Sequence, residues 1–232
     1  MSANATMERY IALWNEPDAT VRRAAVAALW RPDGLHLTPT RRFRGTEELV
    51  ARVTEAYDRF VGGQGLRFRS GGELMRNHGA LAFDWVMTPE DRKDKVLAAG
   101  FDVVLLDSDG RIAADYQFNE PSEALDGPDG QVERYLAVTD AARHYLPGAR
   151  LVDGDGVHEG PHSIAAALVD GGARLLTGST SAQHDALRYR WRQDSTDERS
   201  GERAEGVDFL LHDGTGQIRE HHRFTRTGRY AG

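Results

Sequence analysis

Nine histidines and no cysteine set what side-chain chemistry this chain can attempt. Without thiols there is no disulfide, thiol nucleophile or thiolate metal site. An imidazole titrates near neutrality and serves as acid or base. His36 and His78 lie in the first half of the chain and seven histidines in the second. His221 and His222 are neighbours in a segment that reads as a strand, so their side chains point to opposite faces and cannot share a metal ion. His158 and His162 flank Gly160-Pro161, the start of a helix, and no metal site is expected there. His36 lies on the same side of a short alternating segment, Leu35-His36-Leu37-Thr38, as Thr38. Asp102 stands between Phe101 and Val103. A carboxylate placed so is rarely without a partner, because burying it unpaired costs several kcal/mol, roughly. Tyr10 shares a helix face with Met7, Ile11 and Trp14. Core packing for Tyr10 and a structural hydrogen bond for Asp102 stand beside any catalytic role. Asp107 and Asp213 read as turn formers, and Trp85 and Trp191 as core residues.

No Gly-x-Gly-x-x-Gly, Walker loop, Gly-x-Ser-x-Gly or His-Glu-x-x-His occurs. A nucleotide or flavin site has no support, and no cofactor is expected. The 232 residues carry a net charge of −7, with 40% apolar and 28% charged residues. That balance argues against nucleic acid, whose phosphates select basic surfaces. No apolar run approaches the roughly 20 residues that span a bilayer. Met1 to Thr6 has neither the basic region nor the apolar stretch of a signal peptide. A cytoplasmic protein without membrane or nucleic-acid partners is expected.

The elements that must position these residues occur twice. Asn77 to Trp85, NHGALAFDW, returns as Gln183 to Trp191, QHDALRYRW. Gly100-Phe101-Asp102 returns as Gly206-Val207-Asp208, and Asp107, Gly110, Ile112 and Phe118 as Asp213, Gly216, Ile218 and Phe224. The offset is 106 throughout, and Glu8-Arg9-Tyr10 returns earlier as Glu133-Arg134-Tyr135. The chain is a tandem duplication. In the first copy, helical stripes run through Met7–Trp14, Val21–Leu29 and Leu49–Phe60. Pro32-Asp33-Gly34 is expected to end the second helix, and Thr46 to cap the third. Strands are expected at about 66–70, 73–87, 95–106 and 111–119. Three helices and then a run of strands indicate an α+β fold. Domains are expected at 1–120 and 131–232, with 121–130 within the Pro-, Gly- and acid-rich linker. The second copy is shorter: Tyr10 to Gly45 spans 35 positions, and Tyr135 to Gly160 spans 25. The loss falls in the second helix, and nine more positions are missing before His184.

These pieces resemble the nuclear transport factor 2-like superfamily, which includes ketosteroid isomerases and SnoaL-like polyketide cyclases. The resemblance rests on Arg9-Tyr10-Ile11-Ala12, on Leu29-Trp30-Arg31-Pro32-Asp33-Gly34 and on Phe101 to Ile112, with its Asp107-Ser108-Asp109-Gly110 turn. It covers both copies. It implies two tandem cones, each a curved mixed sheet wrapped around helices and an apolar pocket, with the pair forming a pseudo-dimer within one chain. Ketosteroid isomerases use a tyrosine and a protonated aspartic acid as an oxyanion hole and a second aspartate as base. The resemblance puts the first pair on Tyr10 and Asp102, and on Tyr135 and Asp208 in the second copy. The base position falls on Thr38 in the first copy and Asp153 in the second. Threonine does not accept a proton near neutral pH, so His36 becomes the candidate acid or base of the first copy.

Two readings follow. In one, the first copy binds a small apolar or polyketide-like molecule and performs isomerisation, cyclisation or hydration without a cofactor. Tyr10, His36 and Asp102 are then catalytic, and Trp14, Trp30, Thr38 and Tyr57 line the pocket. In the other, the chain is a ligand-binding or scaffold protein with structural carboxylates. Strand alternation also groups Ala82, Asp84, Asp102, Asp115 and Gln117, whose second-copy equivalents are Arg188, Arg190, Asp208, His221 and Arg223, so the first copy is acidic where the second is basic. Contacts between the two sheets through Asp84 or Asp115 are therefore expected.

Overall fold

The computed structural model describes residues 3–72, 74–120, 141–169, 174–176, 179–194 and 202–229. Contacts divide the chain into two compact units, Met1–Pro121 and Ser122–Gly232. No helix among the described residues is long and apolar enough to cross a membrane.

Unit 1 opens with α1 (Ala3–Trp14), which buries Thr6, Tyr10, Leu13 and Trp14 along one face. Asp18 caps α2 (Ala19–Leu29), its Oδ1 accepting the N–H groups of Thr20 and Val21 at 2.8 and 2.9 Å. The helix ends at Leu29, and β1 (Trp30–Leu37) begins at once. Pro32-Asp33-Gly34 therefore lies within a strand rather than ending the helix. The register of β1 breaks between Trp30 and Leu35. Such a bulge accommodates Pro32, which has no N–H for a ladder. A side chain at Gly34 would press on Trp30 and on the Ile112 carbonyl.

Next come β2 (Arg42–Arg44) and α3 (Gly45–Ala56), which buries Leu49, Val53 and Ala56 and runs into a π-helical turn at Tyr57–Gly62. The helix begins at Gly45, and the Glu48 carboxylate accepts the Arg44 N–H at 2.7 Å, so Thr46 is not its cap. The remaining strands are β3 (Leu66–Ser70), β4 (Met75–Asn77), β5 (Ala80–Pro89), β6 (Ala98–Leu106) and β7 (Ile112–Glu120). The single strand expected over 73–87 is thus two strands. They are joined at His78-Gly79, where His78 has φ 44° and Asn77 pairs with Ala80. Asn-His-Gly is turn chemistry, masked in the sequence by apolar alternation on both flanks.

The sheet order is β2-β1-β7-β6-β5-β3, with β4 on β5. β1 runs parallel to β7 and the other pairs are antiparallel, so the sheet is mixed. Register decides which residues share a face. Phe83 pairs with Asp102 and Asp102 with Gln117, while Leu81 pairs with Val104 and Val104 with Asp115. Leu81, Phe83, Trp85 and Val104 pack with Tyr10, Leu13, Trp14, Leu49 and Val53 in one core. Asp102, Asp115 and Gln117 thus face the helices. The expected grouping of Ala82 and Asp84 with Asp102 is corrected, because these two pair with Val103 and Phe101 on the other face.

Unit 2 repeats the sheet. After a 3₁₀ turn (Ala141–His144) come β8 (Tyr145–Val152), β9 (Val157–Glu159), α4 (Pro161–Val169), β10 (Arg174–Leu175), β11 (Ser181–Gln183), β12 (Ala186–Asp194), β13 (Glu202–His212) and β14 (Ile218–Arg229). The order β10-β12-β13-β14-β8-β9, with β8 parallel to β14, matches unit 1 strand for strand. His184 forms the same turn with φ 51°. A 12-residue α3 and a five-residue β3 have shrunk to a nine-residue α4 and a two-residue β10. Where α2 leads into β1, unit 2 has the four-residue 3₁₀ turn. Tyr135 and the expected linker at 121–130 lie outside the described residues.

Candidate functional site

The buried polar cluster of unit 1 begins with a glycine. Gly100 pairs with Trp85 across β5 and β6, and a side chain there would collide with the indole ring. The bare backbone lets the ring lie across β6, so that Trp85 Nε1–H donates to Asp102 Oδ1 at 3.0 Å. The Tyr10 hydroxyl, delivered by the buried face of α1, lies 2.8 Å from Asp102 Oδ2 and 2.7 Å from Asp115 Oδ2. His36 on β1 is the parallel-strand partner of Asp115, and its Nδ1 lies 2.6 Å from Asp115 Oδ2. Tyr10 is 2% exposed, and His36, Asp102 and Asp115 are fully buried.

Counting protons fixes the state of this chain of groups. Two short contacts to the Tyr10 oxygen require two hydrogens, and the phenol has one. The other must sit on a carboxyl group. Burial, and then the charge of Asp115, push the Asp102 acid well above the usual carboxylate range. Asp102 is therefore the neutral acid. Its O–H donates to Tyr10, Tyr10 donates to the Asp115 carboxylate, and His36 Nδ1–H donates to the same oxygen. Burial, with both aspartates beside it, raises the Tyr10 phenol too, so it keeps its proton.

Three buried polar atoms around His36 have no protein partner: His36 Nε2, Asp115 Oδ1 and Trp14 Nε1. The His36 ring lies between Trp14 and Phe43, with centroids 5.4 and 5.9 Å away. Arg52 of α3 covers that pair, its guanidinium carbon 5.2 Å from the Trp14 ring centre and 5.8 Å from that of Phe43. Burial lowers the Arg52 pKa, opposed chiefly by Glu55. The cluster joins an imidazole nitrogen without a protein partner to a carboxyl group that orients the ring. A donor and a cation stand beside it.

Of the residues the sequence singled out, Tyr10, His36 and Asp102 converge here. Trp14 and Trp30 are buried beside them, with Trp30 5.6 Å from the Tyr10 ring and its Nε1 donating to the Leu35 carbonyl at 3.3 Å. Thr38 lies past the end of β1, where its hydroxyl accepts the Arg41 N–H at 3.1 Å and holds a turn. Tyr57 carries Arg22 over its ring at 4.6 Å. Asp115 and Arg52 escaped the sequence reading. The first was assigned to an interface, although the β1–β7 register alone puts it beside His36.

In unit 2, Asp208 occupies the position of Asp102, and Trp191 donates to it at 2.9 Å across Gly206. Everything else around it differs. Tyr189, in place of Phe83, donates at 2.8 Å. Arg223, in place of Gln117, grips both oxygens at 3.0 and 2.7 Å. His221, in place of Asp115, lies 3.2 Å away and is bonded to the Tyr145 hydroxyl at 2.7 Å. Burial alone would raise this acid. The Arg223 guanidinium, with His221 beside it, outweighs burial and holds Asp208 far below the usual range. Asp115 and Arg223 thus have hydrogen-bond partners within their own units. The position of His36 holds Leu151, since the two pair alike with Asp115 and His221. Asp153 is a turn residue whose Oδ1 accepts the N–H groups of Asp155 and Gly156 at 2.9 and 3.0 Å. Its Oδ2 lies 3.3 Å from His158. Among the described residues no group of three His, Asp or Glu side chains is placed to hold a metal ion.

No family model and no curated protein matches the sequence. Solved structures do. A protein of the SnoaL-like family from Agrobacterium tumefaciens is 27% identical, over 50% of this chain and 96% of its own, with a TM-score of 0.46. An NTF2-like protein of unknown function from Exiguobacterium is 15% identical, over 50% of this chain and 99% of its own, at 0.41. A protein with a ketosteroid isomerase-like fold from Catenulispora acidiphila, in complex with trimethylamine, is 10% identical, over 50% of this chain and 86% of its own, at 0.39. Each of these structures covers about half of this chain, the length of one repeat.

Proposed function

We propose that unit 1 performs cofactor-free acid–base chemistry on a small molecule, with His36 Nε2 as the atom that takes and returns the proton. One observation carries this reading: Nε2 is buried without a protein partner while Nδ1 is held by Asp115. Buried polar atoms in folded proteins are almost always hydrogen-bonded. An orphan next to an oriented imidazole therefore supports a site that a ligand or its attacking water completes. Asp115 holds the ring and stabilises the imidazolium as it forms, as the aspartate of a Ser-His-Asp triad does. Tyr10 and Asp102 face each other and Asp115 rather than an open space. Their bonding supports a positioning role, fixing Asp115, more than the direct oxyanion role of the family pair. Isomerisation, cyclisation and hydration all begin with such a proton transfer. Unit 2, whose aspartate is locked by Arg223, serves structure.

A binding or scaffold role without catalysis is favoured by the complete burial of His36, Asp102 and Asp115. Hydrogen–deuterium exchange separates the two. Small cyclic ketones, enones and a steroid enone are incubated with the protein in D2O and followed by NMR. The catalytic reading expects exchange at the carbon next to the carbonyl that falls about 10²–10⁴-fold in His36→Gln. Exchange that is absent, or unchanged in His36→Gln, returns the cluster to the scaffold reading.

A further inference from the structure

Arg52 and Arg223 both approach the aspartate cluster of their unit, but only Arg223 is hydrogen-bonded to a carboxylate. Arg223 is bound by both oxygens of Asp208. Arg52 makes one hydrogen bond, a long 3.4 Å contact to Gln117 Oε1. The acid nearest to it along α3, Glu55, is held by Arg41 at 2.8 Å instead. The guanidinium lies over the faces of Trp14 and Phe43, beside a buried indole N–H that has no acceptor. A cation removed from most of its water with no carboxylate in hydrogen-bond contact is costly, and guanidinium is the side chain best shaped to take a carboxylate in two parallel bonds.

We propose that the small molecule taken by unit 1 is a planar monoanion, a carboxylate, whose charged end is held by Arg52 and Trp14 Nε1–H while its reactive end meets His36 Nε2. This rests on the reading that the cluster serves a small molecule. Geometry supports it: no carboxylate is hydrogen-bonded to Arg52, and the buried indole N–H of Trp14 beside it has no acceptor. Planarity follows from the guanidinium fork, which matches the plane of a carboxylate. The expected apolar ligand is thereby narrowed to an apolar body with an acidic end.

The test compares 2-naphthoate with 2-naphthamide, alike in shape and different in charge, by calorimetry on the full chain. The carboxylate is expected to bind at least about tenfold more tightly, and Arg52→Gln to erase the difference while keeping the affinity for the amide. A second readout needs no variant of Arg52: the indole N–H resonance of Trp14, identified with Trp14→Phe, should shift on adding the carboxylate and not the amide. Equal affinities, no binding of either probe, or a preference that survives Arg52→Gln overturns the proposal. Its failure is separable from failure of the catalytic reading. His36-dependent exchange without anion preference removes the anion alone. Anion preference without exchange removes the catalysis and leaves the binding site.

Discussion

Asp102 and Asp208 occupy the same point of the same fold, each under a tryptophan that crosses a glycine. One is a neutral acid and the other an anion. Three substitutions around an unchanged tryptophan produce the difference: Phe83 to Tyr189, Asp115 to His221 and Gln117 to Arg223. In unit 1 the acid's neighbour is a second carboxylate, so burial and like charge act together. In unit 2 a bidentate guanidinium overrides burial. A duplicated scaffold aspartate thus carries no fixed role, and its neighbours decide whether it donates a hydrogen bond or anchors a cation. The unit with the neutral acid has the His36–Asp115 pair, while the ion-locked unit has leucine at the histidine position.

Removing the charge tests this most strongly. Asp208→Asn strands Arg223 and is expected to destabilise unit 2 by about 3–5 kcal/mol, the usual result of deleting one partner of a buried ion pair. Asp102→Asn should cost about 1 kcal/mol or less, because an amide still donates to Tyr10 and accepts from Trp85, as the neutral acid does. Urea unfolding of the full chain, followed unit by unit through amide hydrogen exchange, measures both. Equal losses would mean that Asp102 is also ionised.

The glycines sharpen the comparison from the other side, since here the units should agree. Gly100→Ala forces the new methyl into the Trp85 ring and the Phe118 carbonyl, and Gly206→Ala into the Trp191 ring and the Phe224 carbonyl. Each is expected to cost about 1–3 kcal/mol, as overpacking does. If Gly206→Ala were tolerated and Gly100→Ala were not, the tryptophan would be functional in unit 1 and incidental in unit 2.

The repeat made much of this visible in advance. The recurring Gly-x-Asp and Trp put both aspartates in matching places, and three helices before a run of strands gave the α+β order. Faces were misread. Alternation along one strand is defined only relative to its own neighbours, and joining β5 to β6 and β7 needs the hydrogen-bond register, which no single strand contains. A one-residue error moved Ala82 and Asp84 onto the site's face, while Asp115 was grouped with Asp102 as the register has it but read for its charge contrast with the second copy. The β1 bulge at Pro32–Gly34 and the His78-Gly79 turn were hidden in the same way, by apolar residues on either side. Arg52 was invisible because a lone arginine on an amphipathic helix looks like surface, and only tertiary packing shows its guanidinium against Trp14.

The smallest effect, a slope, is also the most diagnostic, because its sign differs between units. The folded-state pKa of Asp102 is raised, so its contribution to stability is complete below the unfolded value near 3.8 and is lost as pH rises through the folded value. The folded-state pKa of Asp208 is lowered, so its contribution is complete above 3.8 and is lost as pH falls through the folded value. Between about pH 4.5 and about pH 7.5, a range above the unfolded carboxylate value, unit 1 should therefore weaken relative to Asp102→Asn. Over that range the Asp208 contribution to unit 2 should stay flat relative to Asp208→Asn. Below about pH 4 the pattern inverts, with unit 2 losing stability that Asp208→Asn no longer has to lose. Protection factors of amides in β6 and β13, measured across this range on the full chain and on each variant, read the two slopes separately. A parent and an Asp102→Asn variant whose β6 protection changes identically with pH would show that Asp102 does not hold a proton that the unfolded chain releases, and the distinction between the two aspartates would collapse to one of neighbours without a difference in charge.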